Sequence, residues 1–166
     1  SMKSIGIGHE QVDLLPDGTP DIDGIRKAAS DNEITAVAIQ RSRGYAERKA
    51  LTVDEIGRIC STVKAVNPNV NIMVDNCYGE FVELVEPLEI GADLIAGSLI
   101  KKPGGGLAPR GGYVAGRADL VNRAAARLTA PGIAEDLLLV AVYLDIDGVV
   151  VFHIRLFPGV DGAPDD

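Results

Sequence analysis

Two rhythms of apolar and polar positions run through the first 135 residues. Short apolar runs, AVAIQ from Ala36, VNIMVDN from Val70, ADLIAGSLI from Ala92 and GGYVAG from Gly111, have the length and β-branched content of strands. Between them, apolar residues recur every three or four positions. In DIDGIRKAASD, Ile22, Ile25, Ala28 and Ala29 fall on one helical face. In TVDEIGRICSTVKAV, Val53, Ile56, Ile59, Cys60 and Val63 form a stripe, and Thr52 stands three residues before Glu55, the spacing of a capping box. ADLVNRAAARLTAPG reads as a further helix stopped by Pro131 and Gly132. Strand-like runs alternating with helical stretches predict an α/β fold with a largely parallel sheet.

From residue 136 the texture changes. LLLVAVYLDIDGVVVFHIRLFPG is two apolar runs around Asp147-Gly148, a hairpin or strand pair, and it ends in the acidic tail VDGAPDD. The chain thus divides into an α/β region, 1–135, and a distinct C-terminal segment, 136–166.

Composition narrows the class of function. A chain of 166 residues with 46% hydrophobic content is long enough to bury a core. Its net charge of −8, without a basic stripe interleaved with aromatics, argues against nucleic acid as a partner. No apolar run approaches the roughly 18 residues of a membrane span. Cys60 and Cys77 show no metal-ligand spacing with His9 or His153, so no metal site is expected, and two cysteines without a disulfide framework fit a reducing cytoplasm. The leading Ser1-Met2 reads as an expression remnant.

Ligands of parallel α/β sheets sit at the carboxyl ends of the strands. AVAIQ delivers Gln40, Arg41, Ser42 and Arg43; NIMVDN delivers Asp75, Asn76 and Cys77; LIAGSLIKK delivers Ser98, Lys101 and Lys102. An acid and a lysine at neighbouring strand ends, with a serine three residues before the lysine, meet the needs of pyridoxal 5'-phosphate. The lysine condenses with the aldehyde, the acid keeps the pyridine nitrogen protonated, and the hydroxyl reaches the phosphate. Glycines 104 to 106 would admit close backbone approach. Each residue also has a plainer reading, since aspartate is a common turn former and paired lysines a common solvated strand end. If the strand ran on through both lysines, their side chains would alternate, and only one could face a cofactor.

The strings AIQRSRGY, VDNCYGEF, EIGADLIAGSLIKKPGGGLAPRGGYVAG and RLTAPGI resemble the aluminium-resistance, methionine gamma-lyase-like family of pyridoxal-phosphate enzymes, relatives of the cystathionine lyases of fold type I. The resemblance covers about residues 4–135. It implies part of a three-layer, mostly parallel domain flanked by helices, with Lys101 as the Schiff-base lysine, Asp75 as partner of the pyridine nitrogen and Ser98 as a phosphate ligand. Lys102 breaks the Ser-x-x-Lys spacing. Arg41, Ser42 and Arg43 match a segment near the cofactor without individual roles.

The implied reaction is β- or γ-elimination on a small sulfur-containing amino acid by a homo-oligomer. An upstream phosphate-cradling loop and a downstream arginine for the substrate carboxylate have no counterpart in this sequence, so an incomplete enzyme is expected. Two alternatives stand beside it. VAVYLDIDGVVV is similar to the first motif of Mg²⁺-dependent haloacid-dehalogenase-like phosphohydrolases, with Asp145 as nucleophile and Asp147 as general acid. The chain could also be a catalytically inert α/β scaffold.

Overall fold

The computed structural model describes residues 7–98, 100–101, 111–128, 140–142 and 151–153. Helix α1 spans Ile22–Ala29; Asp21 caps it, its Oδ1 accepting from the Gly24 backbone N–H at 3.0 Å. Helix α2 spans Val53–Val66 and opens on the expected capping box: Glu55 N donates to Thr52 Oγ1 at 3.2 Å, and Thr52 N donates to Glu55 Oε2 at 2.8 Å. A cap of this kind contributes about 1 kcal/mol. Helix α3 spans Ala118–Leu128.

The strands are β1 (Ala36–Gln40), β2 (Asn71–Asp75), β3 (Leu94–Ser98) and β4 (Gly112–Gly116). They form one sheet in that order, parallel from β1 to β3, with β4 antiparallel to β3. This is the α/β, mostly parallel architecture expected from the alternation of apolar runs. The connection from β2 to β3 differs from a helical crossover, the usual link between parallel strands: it is irregular apart from a 3-10 turn at Pro87–Ile90. Two further short strands, β5 (Val140–Val142) and β6 (Val151–His153), pair antiparallel to each other.

The core lies between α2 and one face of the sheet. All five residues of the α2 stripe, Val53, Ile56, Ile59, Cys60 and Val63, are buried. Four of them, Ile56, Ile59, Cys60 and Val63, pack in one cluster with Ile39 of β1, Ile72 and Val74 of β2 and Ile95 of β3. Burying an isoleucine or valine in this way contributes about 1.5–3 kcal/mol. On the other face, Ala36, Ala38, Gln40 and Met73 are exposed. The sheet therefore has one packed face and, along β1 and β2, one open face, with the alternation of each strand deciding which residues reach which.

Candidate active site at the carboxyl ends of the strands

Asp75 ends β2 on the side of the strand that carries Met73, away from buried Ile72 and Val74. It stands in register with Gln40 of β1 and Ala96 of β3, and parallel partners in register share a face. Ser98 lies two residues past Ala96, roughly 7 Å farther along β3 and on the same face. The small side chain of Ala96 leaves the sheet surface low between the acid and the hydroxyl.

Lys101 follows three residues later, exposed and in a turn beyond β3. That corrects one expectation: strand pairing stops at Ser98, so alternation of side chains along a strand does not choose between Lys101 and Lys102. Lys102 lies outside the described residues. The charges of Asp75 and Lys101 both act on the thiol of Cys77. Burial first, then Asp75, push that thiol up from its ordinary range, and Lys101 opposes them. The Cys77 backbone N–H donates to Asp75 Oδ1 at 3.1 Å, which turns the chain away from the strand.

Next to the site is a buried polar cluster around Arg41. The guanidinium is only 3% exposed, and its Nη1 donates to Asn76 Oδ1 at 2.8 Å and to the Gly79 carbonyl at 2.9 Å. Its Nη2 donates to Glu83 Oε1 at 2.7 Å, and Glu86 Oε2 lies 3.7 Å from Nη1. Glu83 Oε1 also accepts from Val53 N at the start of α2. Asn76, 1% exposed, donates from Nδ2 to Glu86 Oε2 at 2.9 Å and to the Tyr113 hydroxyl at 3.2 Å. Tyr113 in turn donates to Glu80 Oε1 at 3.1 Å. Burial, with the Glu80 and Glu86 charges behind it, holds the Tyr113 phenol well above its ordinary range.

Segment 80–86 is therefore folded inside out relative to its hydropathy. Glu80 is buried against the Tyr113 hydroxyl while Phe81, Val82 and Leu84 are exposed, and the carboxylates that meet Arg41 are those of Glu83 and Glu86 at the edge of the cluster. The sequence reading placed Arg41 near the cofactor; the structure makes it the hub of this cluster. Ser42 offers its carbonyl to Arg48. Arg43 lines an open cleft formed with residues 11–18 and 46–49, whose lining includes none of Asp75, Ser98 or Lys101. Glu80, Glu83, Glu86 and Tyr113 were missed. The available signal was three glutamates spaced by three in a segment that is otherwise apolar.

Tyr78 was also missed. Its ring centroid lies 4.7 Å from Lys101 Nζ, and its backbone has φ 68°, as Phe81 has φ 56°. Left-handed backbone costs a bulky residue roughly 1–2 kcal/mol. Asp93, met in sequence as part of Gly91-Ala92-Asp93, sits just before β3 at the opposite end of the strand from Ser98. It accepts from Lys64 Nζ at 2.7 Å, Ile72 N at 2.8 Å and Arg117 Nη1 at 3.2 Å, so it ties α2, β2 and the start of α3 together.

Among the described residues, no cluster of three or more His, Cys, Asp or Glu could hold a metal ion, and no helix is long and apolar enough to cross a membrane. Asp145 and Asp147, with Pro131 and Gly132, lie outside the described residues.

Fold and site together define a class: an α/β domain whose parallel strands end in an acid and a hydroxyl on one face, with an amine just beyond. Over residues 1–140 the chain matches the profile of the methionine gamma-lyase family, and it belongs to that family. A proposed cystathionine beta-lyase involved in aluminium resistance from Listeria innocua is 53% identical, with a TM-score of 0.76 over 80% of this chain and 32% of that one. The uncharacterized Bacillus subtilis protein YnbB is 48% identical over 136 residues, 82% of this chain and 32% of its own. The pyridoxal-5'-phosphate dependent protein YhfS from Escherichia coli, 22% identical, shares the fold with a TM-score of 0.58 over 78% of this chain and 32% of that one. The chain thus spans about a third of the length of these relatives, and its family is carbon–sulfur lyase-like.

Proposed function

We propose that this chain is the cofactor-binding part of a pyridoxal-phosphate-dependent carbon–sulfur lyase that carries out β- or γ-elimination on a sulfur-containing amino acid. The observation that carries the reading is the register of Asp75 with Ala96, which sets an acid and the Ser98 hydroxyl on one open face, with Lys101 three residues on. The donor set fits the cofactor: a carboxylate, a hydroxyl and an amine around a low patch of sheet. Bound there, pyridoxal phosphate supplies an electron sink for the charge left at the substrate α-carbon.

Asp75 would hold a proton at the ring nitrogen, Ser98 would donate a hydrogen bond to the phosphate, and Lys101 would hold the aldehyde and serve as the base for the substrate α-proton. Positioning of phosphate and carboxylate supplies much of the rate of such enzymes, so the three residues named here would account for only part of it.

Exposed Phe81, Val82 and Leu84 supply apolar surface of the kind that self-association covers, in keeping with a homo-oligomer. Cys60 and Cys77 are both free, in keeping with the cytoplasm. The family match ends at residue 140, and the segment 136–166 is proposed as a separate C-terminal addition. The test is borohydride fixation after mixing with pyridoxal phosphate, followed by peptide mapping. The label is expected on Lys101 and absent in Lys101→Ala; label on other lysines alone would overturn the assignment.

A further inference from the structure

Tyr78 combines two observations that the elimination chemistry leaves unused. Its backbone sits at φ 68°, where a bulky side chain is an outlier and where asparagine or glycine is at ease. Its ring, itself half exposed, lies against the ammonium of Lys101 at 4.7 Å. The conformation is imposed from both sides. Cys77 N is held by Asp75 Oδ1, Gly79 N donates to the Asn76 carbonyl at 2.8 Å, and the Gly79 carbonyl accepts from buried Arg41. Strain retained at an aromatic residue that touches the candidate lysine points to a use for the ring.

We infer that Tyr78 is a positioning residue for Lys101: its ring face holds the ammonium beside the turn that follows Asp75 and slows attack by the nitrogen on electrophiles. The negative face of the ring attracts the ammonium, and the nitrogen must leave that contact before it can attack. At an exposed contact the effect amounts to about two- to fivefold. The inference deepens the lyase reading and rests on Lys101 being the lysine that takes the cofactor.

The experiment is limited acetylation with acetic anhydride in the absence of pyridoxal phosphate, with Lys101 quantified by mass spectrometry against exposed Lys27 of α1. Tyr78→Phe keeps the ring and should match the wild type. Tyr78→Asn removes the ring yet suits the left-handed backbone, and Lys101 should then acetylate about two- to fivefold faster. Tyr78→Gly, which suits the same backbone, must give the same increase. An unchanged or slower rate in the Asn and Gly variants, or a Phe variant as fast as they are, would overturn the ring contact. Borohydride fixation of the cofactor on a different lysine, with the acetylation pattern as expected, would instead overturn the cofactor reading and leave the contact standing.

Discussion

Arg41 Nη1 and Asn76 Oδ1 meet at 2.8 Å with both side chains out of solvent, and that bond joins the end of β1 to the turn after Asp75. Since the same guanidinium also binds Gly79 and Glu83, removing it would strand acceptors from three places at once. Arg41→Met should therefore lower unfolding free energy by about 1–3 kcal/mol, the cost of leaving buried acceptors without a donor while Glu83 stays open to solvent. Urea titration followed by circular dichroism would measure it, and a loss below 1 kcal/mol would mean that water replaces the guanidinium without difficulty.

Gly97 is required by the same cluster. A Cβ at this position would lie 2.2 Å from Glu80 Oε1 and 2.4 Å from Tyr113 Cε1. The strand can relieve that overlap only by moving the tyrosine or the glutamate out of the packing. Gly97→Ala should cost about 1–3 kcal/mol, as overpacked cores do. Denaturant midpoints for Gly97→Ala and for Gly97→Ala with Tyr113→Leu would check the cause, since the smaller side chain should return part of the loss.

Legibility in the sequence followed the range of the interactions. Helix α2 was readable to the residue because Thr52, Glu55 and the stripe from Val53 to Val63 act within one segment. The four strands were readable from their apolar runs, and Asp75 and Ser98 from their places at the ends of those runs. Segment 80–86 was not, because its glutamates meet partners far away in the chain: Glu83 and Glu86 meet Arg41, and Glu80 meets Tyr113. The end of β3 was hidden as well: LIAGSLI looks continuous, yet pairing stops where Ser98 meets Gly112. Asp93 was visible only as a motif letter, since Lys64 and Arg117 come from distant positions.

Asp93 makes stability depend on acid. Burial alone would raise its carboxyl, but Lys64, the Ile72 N–H and Arg117 outweigh burial and hold it below the ordinary aspartate range. A carboxyl depressed in the folded state contributes stability that is present above its unfolded value, about 3.9, and is lost as pH falls through the folded value. Stability should decline below about pH 5. In Asp93→Asn the chain should be less stable at neutral pH and its decline shallower. Urea midpoints between neutral and acid pH would measure both; equal slopes for the two proteins would remove Asp93 as a source of the acid sensitivity.

Cys77 offers a way to read Asp75 and Lys101 without any cofactor. Its thiol is raised first by burial and then by the hydrogen bond and charge of Asp75, while Lys101 acts in the opposite direction. Only the thiolate reacts with iodoacetamide, so alkylation at neutral pH reports this balance. Asp75→Asn keeps an acceptor for the Cys77 backbone N–H but removes the charge, and alkylation should become severalfold faster. Lys101→Ala removes the opposing charge and should make it slower. Cys60 serves as the internal control: burial, with the nearby Asp93 charge, pushes its thiol up to about 11, and it should stay unmodified while the chain is folded. Opposite changes in the two variants would show that the acid and the lysine address one point in space. Identical rates in both would separate Cys77 from that pair.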